Sequence, residues 1–379
     1  MTTRIRVGIV FGGRSGEHEV SLASARSILR FIDPQRYEAV PIGITKEGRW
    51  IVGGDPLAAL SAGTTAGTTS ASMLPDAGAP GLVAMEASER GALASLIEPL
   101  DVVFPVMHGT YGEDGTIQGL FELAGIAYVG AGVLGSATGM DKTIMKKLFR
   151  ADGLPIVDWV PVRRADIERD LEAVVERIEQ RIGYPCFVKP ANLGSSVGVS
   201  KATDAAQLAH GLRLAARYDR SLLVEQGIRA RELECSVLGN DDPIASIVGE
   251  IRPKREFYDY RAKYIDDDSE LIIPADLDAE VSERIREMAV RAFQAIDAAG
   301  MARVDFFLDR DGGRLVVNEI NTIPGFTNIS MYPKLWEASG IGYTELIHRL
   351  IQLALERRAD RDRNETSFAP DEPASPAVS

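Results

Sequence analysis

Apolar and polar positions alternate most sharply in "RVDFFLDRDGGRLVVNEIN", residues 303–321. Two runs rich in Val, Phe, Leu and Ile flank the turn signal "DRDGG", a pattern that predicts a β-hairpin. Side chains alternate faces along a strand, so Arg303 shares a face with Asp305, and Glu319 with Asn321. The other positions of both runs are mostly apolar, which predicts a sheet covered on both sides. "RVGIVFGGRSGEHEVSLASARSIL" reads as strand, glycine turn and helix, the opening of an α/β unit. "LDVVFPVMHGTYGEDGTIQGLFELAG" repeats the theme of strand, polar loop and helix. Further helices are expected at 166–181 and 281–299. In the second, Ile285, Met288, Ala289, Ala292, Phe293 and Ile296 form one apolar stripe ending at Gly300.

Breaks in the pattern suggest an N-terminal α/β unit over 1–130, a central unit over 131–225 and a C-terminal unit over 226–358. The Gly/Ala/Ser/Thr tract at 53–80 offers little to pack and reads as a flexible surface insertion. Residues 359–379 are polar and Pro-rich and read as a disordered tail.

A length of 379 residues allows two or three domains. The formal charge of -13 argues against a general nucleic-acid binder. Cys186 and Cys235 give neither a disulfide framework nor a zinc spacing and read as buried small apolar residues. The chain opens directly into a strand, without a signal-peptide pattern or a spanning run, so no membrane partner and a cytoplasmic location are expected.

Several segments could carry chemistry. Asp305 and Glu319 are carboxylates among apolar neighbours, where an unpaired charge is very costly, and a bound divalent cation would satisfy them. In "FVKPANLGSSVGVSK" Lys189 precedes a loop containing Gly194, Ser195, Ser196 and Gly198. Such a loop can approach phosphate oxygens with backbone N–H groups, hydroxyls and a lysine counter-charge. A mobile turn with a solvated lysine fits that segment equally well. Lys142 and Lys263 are further candidates for polyphosphate contacts. Glu17 could hold a substrate ammonium, although service of Glu17 or Glu19 to the first turn of the following helix, where negative charge is favoured, reads slightly better. His108 is expected to be a structural hydrogen-bonder, and Asp266, Asp267 and Asp268 to be solvated. Pro324 and Gly325 force a turn that leaves backbone donors able to stabilise an oxyanion, or simply ends a strand.

Taken in order, "GEHEVSL", "MHGTYGEDGTIQG", "MDK", "VKPANLGSSVGVSK", "FYDYRAKY", "RVDFFL" and "NEINTIPGFT" resemble the D-alanine–D-alanine ligases, over residues 5–355. That family belongs to the ATP-grasp superfamily. The resemblance implies an N-terminal α/β domain followed by two α+β domains that hold ATP between them. It further implies ATP-dependent joining of two D-alanines for peptidoglycan precursors, with Mg²⁺ (or Mn²⁺) as the metal, and a homodimer. Position by position, it makes Asp305, Glu319 and Asn321 the metal ligands. Lys142, Lys189 and Lys263 fall around the ATP phosphates, under a loop carrying Ser195 and Ser196. Glu225, Gln226 and Ile228 face adenine, Glu232 takes the ribose, and Phe257 and Asn318 complete the nucleotide site. Glu17 would bind the first D-alanine and Ser330 the second. Arg303 and Gly325 would stabilise the oxyanion, and Glu17, Ser195 and Tyr264 would form a proton relay. The alternatives are a D-alanine–D-lactate ligase, another ATP-grasp carboxylate–amine ligase, or a non-catalytic nucleotide-binding module.

Overall fold

The computed structural model describes residues 4–78, 81–88, 91–253 and 269–365, with the backbone alone at 85–88, 91–98, 253 and 269. Its first strand, β1 (Ile5–Gly12), is buried from Val7 onward, and the chain then turns into helix α1 (His18–Phe31). β2 (Tyr37–Ile44) returns parallel to β1. The next segment corrects the reading of 53–80 as a loose insertion. After β3 (Trp50–Val52), Asp55 accepts the Ala58 N–H at 2.9 Å and Pro56 opens helix α2 (Pro56–Ser61). That pairing of capping acid and first-turn proline is a sound helix start. β4 (Thr69–Met73) then pairs antiparallel with β3 and with β5 (Gly81–Ser88), burying Ala71 and Met73. Ser, Thr and Ala carry little hydrophobic signal, so the strand shows through its backbone ladder and not through its side chains.

β6 (Gly91–Pro99) forms the far edge, and β7 (Val102–Pro105), α3 (Thr116–Leu123) and β8 (Ala127–Tyr128) complete the unit. The strand order is β6-β5-β4-β3-β2-β1-β7-β8, with β1, β2, β7 and β8 parallel. Parallel strands need cover on both faces. Val10, Ile42 and Val103 pack with Ile117 and Phe121 of α3, while Val7, Ile9 and Phe104 pack with α1 and with the last helix of the chain.

Helices α4 (Val133–Met140) and α5 (Lys142–Ala151) lead to a second, antiparallel sheet. It comprises β9 (Trp159–Arg163), β10 (Cys186–Pro190), β11 (Ser200–Ala202) and β12 (Ser221–Gln226), in the order β11-β10-β12-β9. The helix expected at 166–181 is two helices, α6 (Arg164–Arg169) and α7 (Leu171–Arg181). Asp170 breaks it: its backbone leaves the helical region, at φ -159° and ψ 88°, and its carboxylate caps α7 by accepting the Ala173 N–H. α7 and α8 (Ala205–Ala215) cover one face of this sheet.

The third sheet contains β13 (Ala230–Gly239), β14 (Ile244–Pro253), β15 (Ser269–Ile272), β16 (Gly300–Asp309) and β17 (Leu315–Asn321), in the order β15-β14-β13-β16-β17. Helix α9 (Ala279–Ala295) lays the expected stripe against it, stopping before 299 because Asp297 takes a positive φ of 57°. The expectation of a sheet covered on both sides holds at one end, where Leu238 and Met301, on the face away from α9, pack with Tyr332 and Trp336, and fails along the rest of that face. Leu233, Cys235, Val304, Phe306, Val317 and Ile320 form the core beneath α9, whereas the opposite face carries Glu234, Arg303, Asp305, Glu319 and Asn321. Phe307 and Val316, which suggested a second covered side, pair at the far end of that polar face.

Both cysteines are buried and free, as expected. α10 (Met331–Ala338) precedes α11 (Tyr343–Arg361), which runs past 358 into the stretch read as disordered. An Arg358–Asp362 pair at 2.8 Å and an ion pair from Arg361 to Glu122 accompany that last turn. The rest of the proposed tail, from 366, lies outside the described residues. No helix among the described residues is long and apolar enough to cross a membrane.

Candidate active site

The hairpin register sets Asp305 directly opposite Glu319, and Arg303 opposite Asn321, on one face. A bulge follows, where Phe306 pairs with Val317 and Asn318 is passed over. Bulges re-aim side chains at strand ends, and here the irregularity falls beside the carboxylate pair. Arg303 grips Asp305 with two hydrogen bonds of 2.7 Å, and its Nε lies 3.1 Å from Glu234. Asn321 donates to the same Asp305 carboxylate at 3.1 Å. Glu319 instead faces the Lys142 ammonium at 3.5 Å. Arg303 therefore serves two acids, Glu234 and Asp305.

Lys142 opens α5, whose N-terminus is capped by Asp141 accepting the Thr143 and Ile144 N–H groups. Its ammonium also donates to the Leu193 carbonyl at 2.8 Å, in the glycine–serine loop. One turn further along α5, Lys146 is fully buried and lies 2.7 Å from Glu225 on β12. The other oxygen of Glu225 lies 2.5 Å from Lys189 on β10. Burial alone would raise the Glu225 pKa, but the two ammonium groups outweigh it and hold the carboxyl down at about 2. Burial also works against Lys189, yet Glu225, Glu319 and Glu232 keep it above its ordinary value. For Lys146 burial wins over Glu225 and lowers the pKa.

The glycine–serine loop is a tight turn. Val197 N–H donates to Gly194 O at 3.2 Å around Ser195 and Ser196, whose φ values are 50° and 57°. Two positive φ values in succession define a type I′ turn, normally given to Asn-Gly. Left-handed backbone costs roughly 1–2 kcal/mol for each non-glycine residue, so surrounding contacts must hold it. One of them is a hydrogen bond from the Ser195 hydroxyl to the Glu17 carboxylate. Glu17 sits at the N-cap of α1 without a side-chain cap hydrogen bond there, and Glu19 is the acidic residue of the first turn. Gly109, at φ 74°, leaves room for it: a Cβ there would lie 2.5 Å from Glu17 Oε2.

His108 is structural, as expected. Its Nδ1 lies 3.0 Å from the Ile323 carbonyl, which only accepts, so Nδ1 carries the proton and Nε2 accepts from Ser24 Oγ at 3.1 Å. Burial lowers its pKa against the pull of Glu17, favouring that neutral tautomer. Beside it, Glu113 accepts the N–H of Gly109 at 2.6 Å and of Ile323 at 3.2 Å. Burial, with Glu17 nearby, pushes its pKa up to about 8.

After Asn321 the chain turns through Pro324 and Gly325. Not every donor there faces outward, for Phe326 N–H goes to Ser24 and Thr327 N–H to Ser330. A Cβ on Gly325 would lie 3.1 Å from Ser330 Oγ, which places these two residues together. Glu232 lies two residues before Glu234 on β13, Gln226 ends β12, and Ile228 follows it, partly buried. Phe257, Lys263, Tyr264 and the aspartates at 266–268 lie outside the described residues. Sequence reasoning missed Lys146, Glu234 and Glu113. Lys146 shares the buried stripe of α5 with Met145 and Phe149, and Glu234 alternates with Leu233 and Cys235 in "ELEC". Either pattern could have flagged a charge at an inward position.

Among the described residues no group of three or more His, Cys, Asp or Glu side chains is arranged to hold a metal ion. Asp305, Glu319 and Asn321 instead offer two carboxylates and an amide, an all-oxygen set. That set suits Mg²⁺, which takes one or two carboxylates and completes its octahedron with phosphate oxygens and water.

Family models agree with this arrangement. The model described as the D-ala D-ala ligase N-terminus matches residues 6–131, and that of the C-terminus matches 148–352. A D-alanine–D-alanine ligase of Ruminiclostridium cellulolyticum is 52% identical over 369 residues, covering 96% of this chain and 98% of that protein. One from Heliobacterium modesticaldum is 52% identical over 364 residues, covering 96% and 98%. Among solved structures, the D-alanine–D-alanine ligase of Coxiella burnetii aligns with TM-score 0.80 at 36% identity, over 95% of this chain and 96% of that one. The VanG D-Ala:D-Ser ligase of Enterococcus faecalis aligns with TM-score 0.82 at 36% identity, over 93% and 100%. The chain belongs to the D-alanine–D-alanine ligase family, within the ATP-grasp fold.

Proposed function

We propose that this protein uses ATP to join two D-alanines, through a D-alanyl phosphate, into the dipeptide needed for peptidoglycan precursors. One observation supports the reading above others. Lys142 reaches both the glycine–serine loop, at the Leu193 carbonyl, and Glu319 on the polar sheet face. A phosphate-binding loop and a metal-binding hairpin then meet at one ammonium, where a triphosphate would need them.

In this scheme a carboxylate oxygen of the first D-alanine attacks the γ-phosphorus and ADP leaves. Transfer of this kind depends on positioning and charge neutralisation. Lys142, Lys189 and Lys263 take the phosphate charge, and Ser195 and Ser196 lie over it. Glu225, Gln226 and Ile228 border adenine, Glu232 the ribose, with Phe257 and Asn318 nearby. Asp305, Glu319 and Asn321 would hold Mg²⁺ or Mn²⁺, which when bound neutralises the phosphates. Glu17 holds the first ammonium, and Ser330 the carboxylate of the second substrate. The second amine nitrogen then attacks the acyl carbon, phosphate leaves, and the proton passes into the set formed by Glu17, Ser195 and Tyr264. Arg303 and the Gly325 N–H stabilise the tetrahedral oxyanion. The three units at 1–130, 131–225 and 226–358, a homodimeric assembly and a cytoplasmic site of action complete the reading.

The test is product analysis after incubation with ATP, Mg²⁺ and D-alanine, set beside L-alanine, D-serine and D-lactate as acceptors. D-alanyl-D-alanine should dominate at neutral pH. Equal or greater depsipeptide or D-Ala–D-Ser yield would replace this acceptor, and ADP release independent of any amino acid would remove the ligase reading.

A further inference from the structure

Lys146 is a lysine with none of its surface exposed, and nothing in the proposed chemistry uses it. Three elements meet at its ammonium. It extends from α5, lies 2.7 Å from one oxygen of Glu225 on β12, and donates to the Asn318 carbonyl at 3.4 Å in the β17 bulge. Glu225 gives its other oxygen to Lys189, which keeps 15% of its side chain exposed. A buried carboxylate with one lysine would form a neutral pair. With two, the trio carries one net positive charge, and the only member with appreciable exposure is Lys189.

We infer that Lys146 is a positioning residue for nucleotide: it neutralises Glu225 so that the positive charge of Lys189 is available to phosphate, and it ties β12 to the bulge beside Glu319. The inference deepens the ATP reading above and rests on it. Removing one partner of a buried ion pair leaves an uncompensated charge, whereas removing both is far milder. In Lys146→Met, Lys189 would be the one lysine left beside Glu225 among the described residues, and Glu225 would hold it back. Phosphate recognition should suffer and base recognition should not.

Calorimetry with the full chain, using ADP and adenosine as separate probes, tests this. Binding of ADP by the parent tests the nucleotide reading; only the variants test Lys146. Lys146→Met should weaken ADP by about 10-fold or more while adenosine changes by less than about 2-fold, as expected for loss of a buried counter-charge. Lys146→Arg should retain most of the ADP affinity, since it keeps the charge. Lys146→Gln, which keeps a hydrogen-bond donor toward Glu225 without the charge, should weaken ADP selectively as Lys146→Met does, and it keeps the idea testable if Lys146→Met does not fold. Equal weakening of both probes, or unchanged ADP binding in a folded Lys146→Met or Lys146→Gln, would each overturn the inference.

Discussion

On one face of β16 and β17, Val304, Phe306, Val317 and Ile320 are buried against α9, while on the other Arg303, Asp305, Glu319 and Asn321 keep partial access and pair with ions or amides. The strands are the same, and a single residue step separates the two environments. Burial of apolar area supplies stability on the first face. Little net stability is expected from the second, because ion pairs there recover mainly the cost of desolvating their own charges. The polar face persists through what it can bind.

Substitutions can break that division of labour. The largest expected effect is on the polar face. Glu319→Gln should lower D-alanine-dependent ADP release by at least about 100-fold, the scale of losing a ligand to a charge-neutralising metal. Its melting temperature should stay close to that of the parent. A large loss of stability with turnover retained would show the carboxylate to be structural. Phe306→Ala should do the reverse, costing about 3–5 kcal/mol in urea unfolding as expected for a buried phenyl ring. Activity per folded molecule should survive. Should its kcat fall as far as that of Glu319→Gln, the two faces are not separable.

A smaller effect sharpens the contrast between carboxylates kept charged and one kept neutral. Glu225 sits between two lysines, whereas Glu113 lies near Glu17 and accepts two backbone N–H groups. Folded Glu113 holds its proton to about pH 8, against 4.5 for an ordinary glutamate carboxyl. A raised pKa contributes stability that is complete below the unfolded value and is lost as pH climbs through the folded one. Melting temperature should therefore decline between about pH 4.5 and 8, and Glu113→Gln should flatten that decline. An unchanged slope in the variant would mean that Glu113 does not titrate there.

Much of the fold was legible because it obeys simple periods. The hairpin follows a repeat of two, α9 a repeat of three and four, and His108 and both cysteines occupy the structural roles their types suggest. The site was legible mainly through the resemblance of its motifs, which pointed to Glu17 and Ser195 as neighbours across 178 positions of sequence. What stayed hidden has physical reasons. Left-handed geometry at Ser195 and Ser196 contradicts their local preference and follows from the turn around them. Asp170 reads as an ordinary helix residue until its carboxylate is seen capping the next helix. β4 lacks the bulky side chains by which strands announce themselves. Lys146 defeats the rule that charges face water, because its partner lies on a strand that the sequence alone does not bring close.

The last helix has a consequence for synthesis. Leu346, Ile347, Leu350 and Ile351 of α11 belong to the same core as Val7, Ile9 and Phe104, the earliest strand and its neighbour. During synthesis β1 emerges well before α11, so the part of its face that α11 covers stays in water, with α1 alone beside it, until that helix has been made. A chain cut short before Tyr343 would leave that face of β1 half-wrapped.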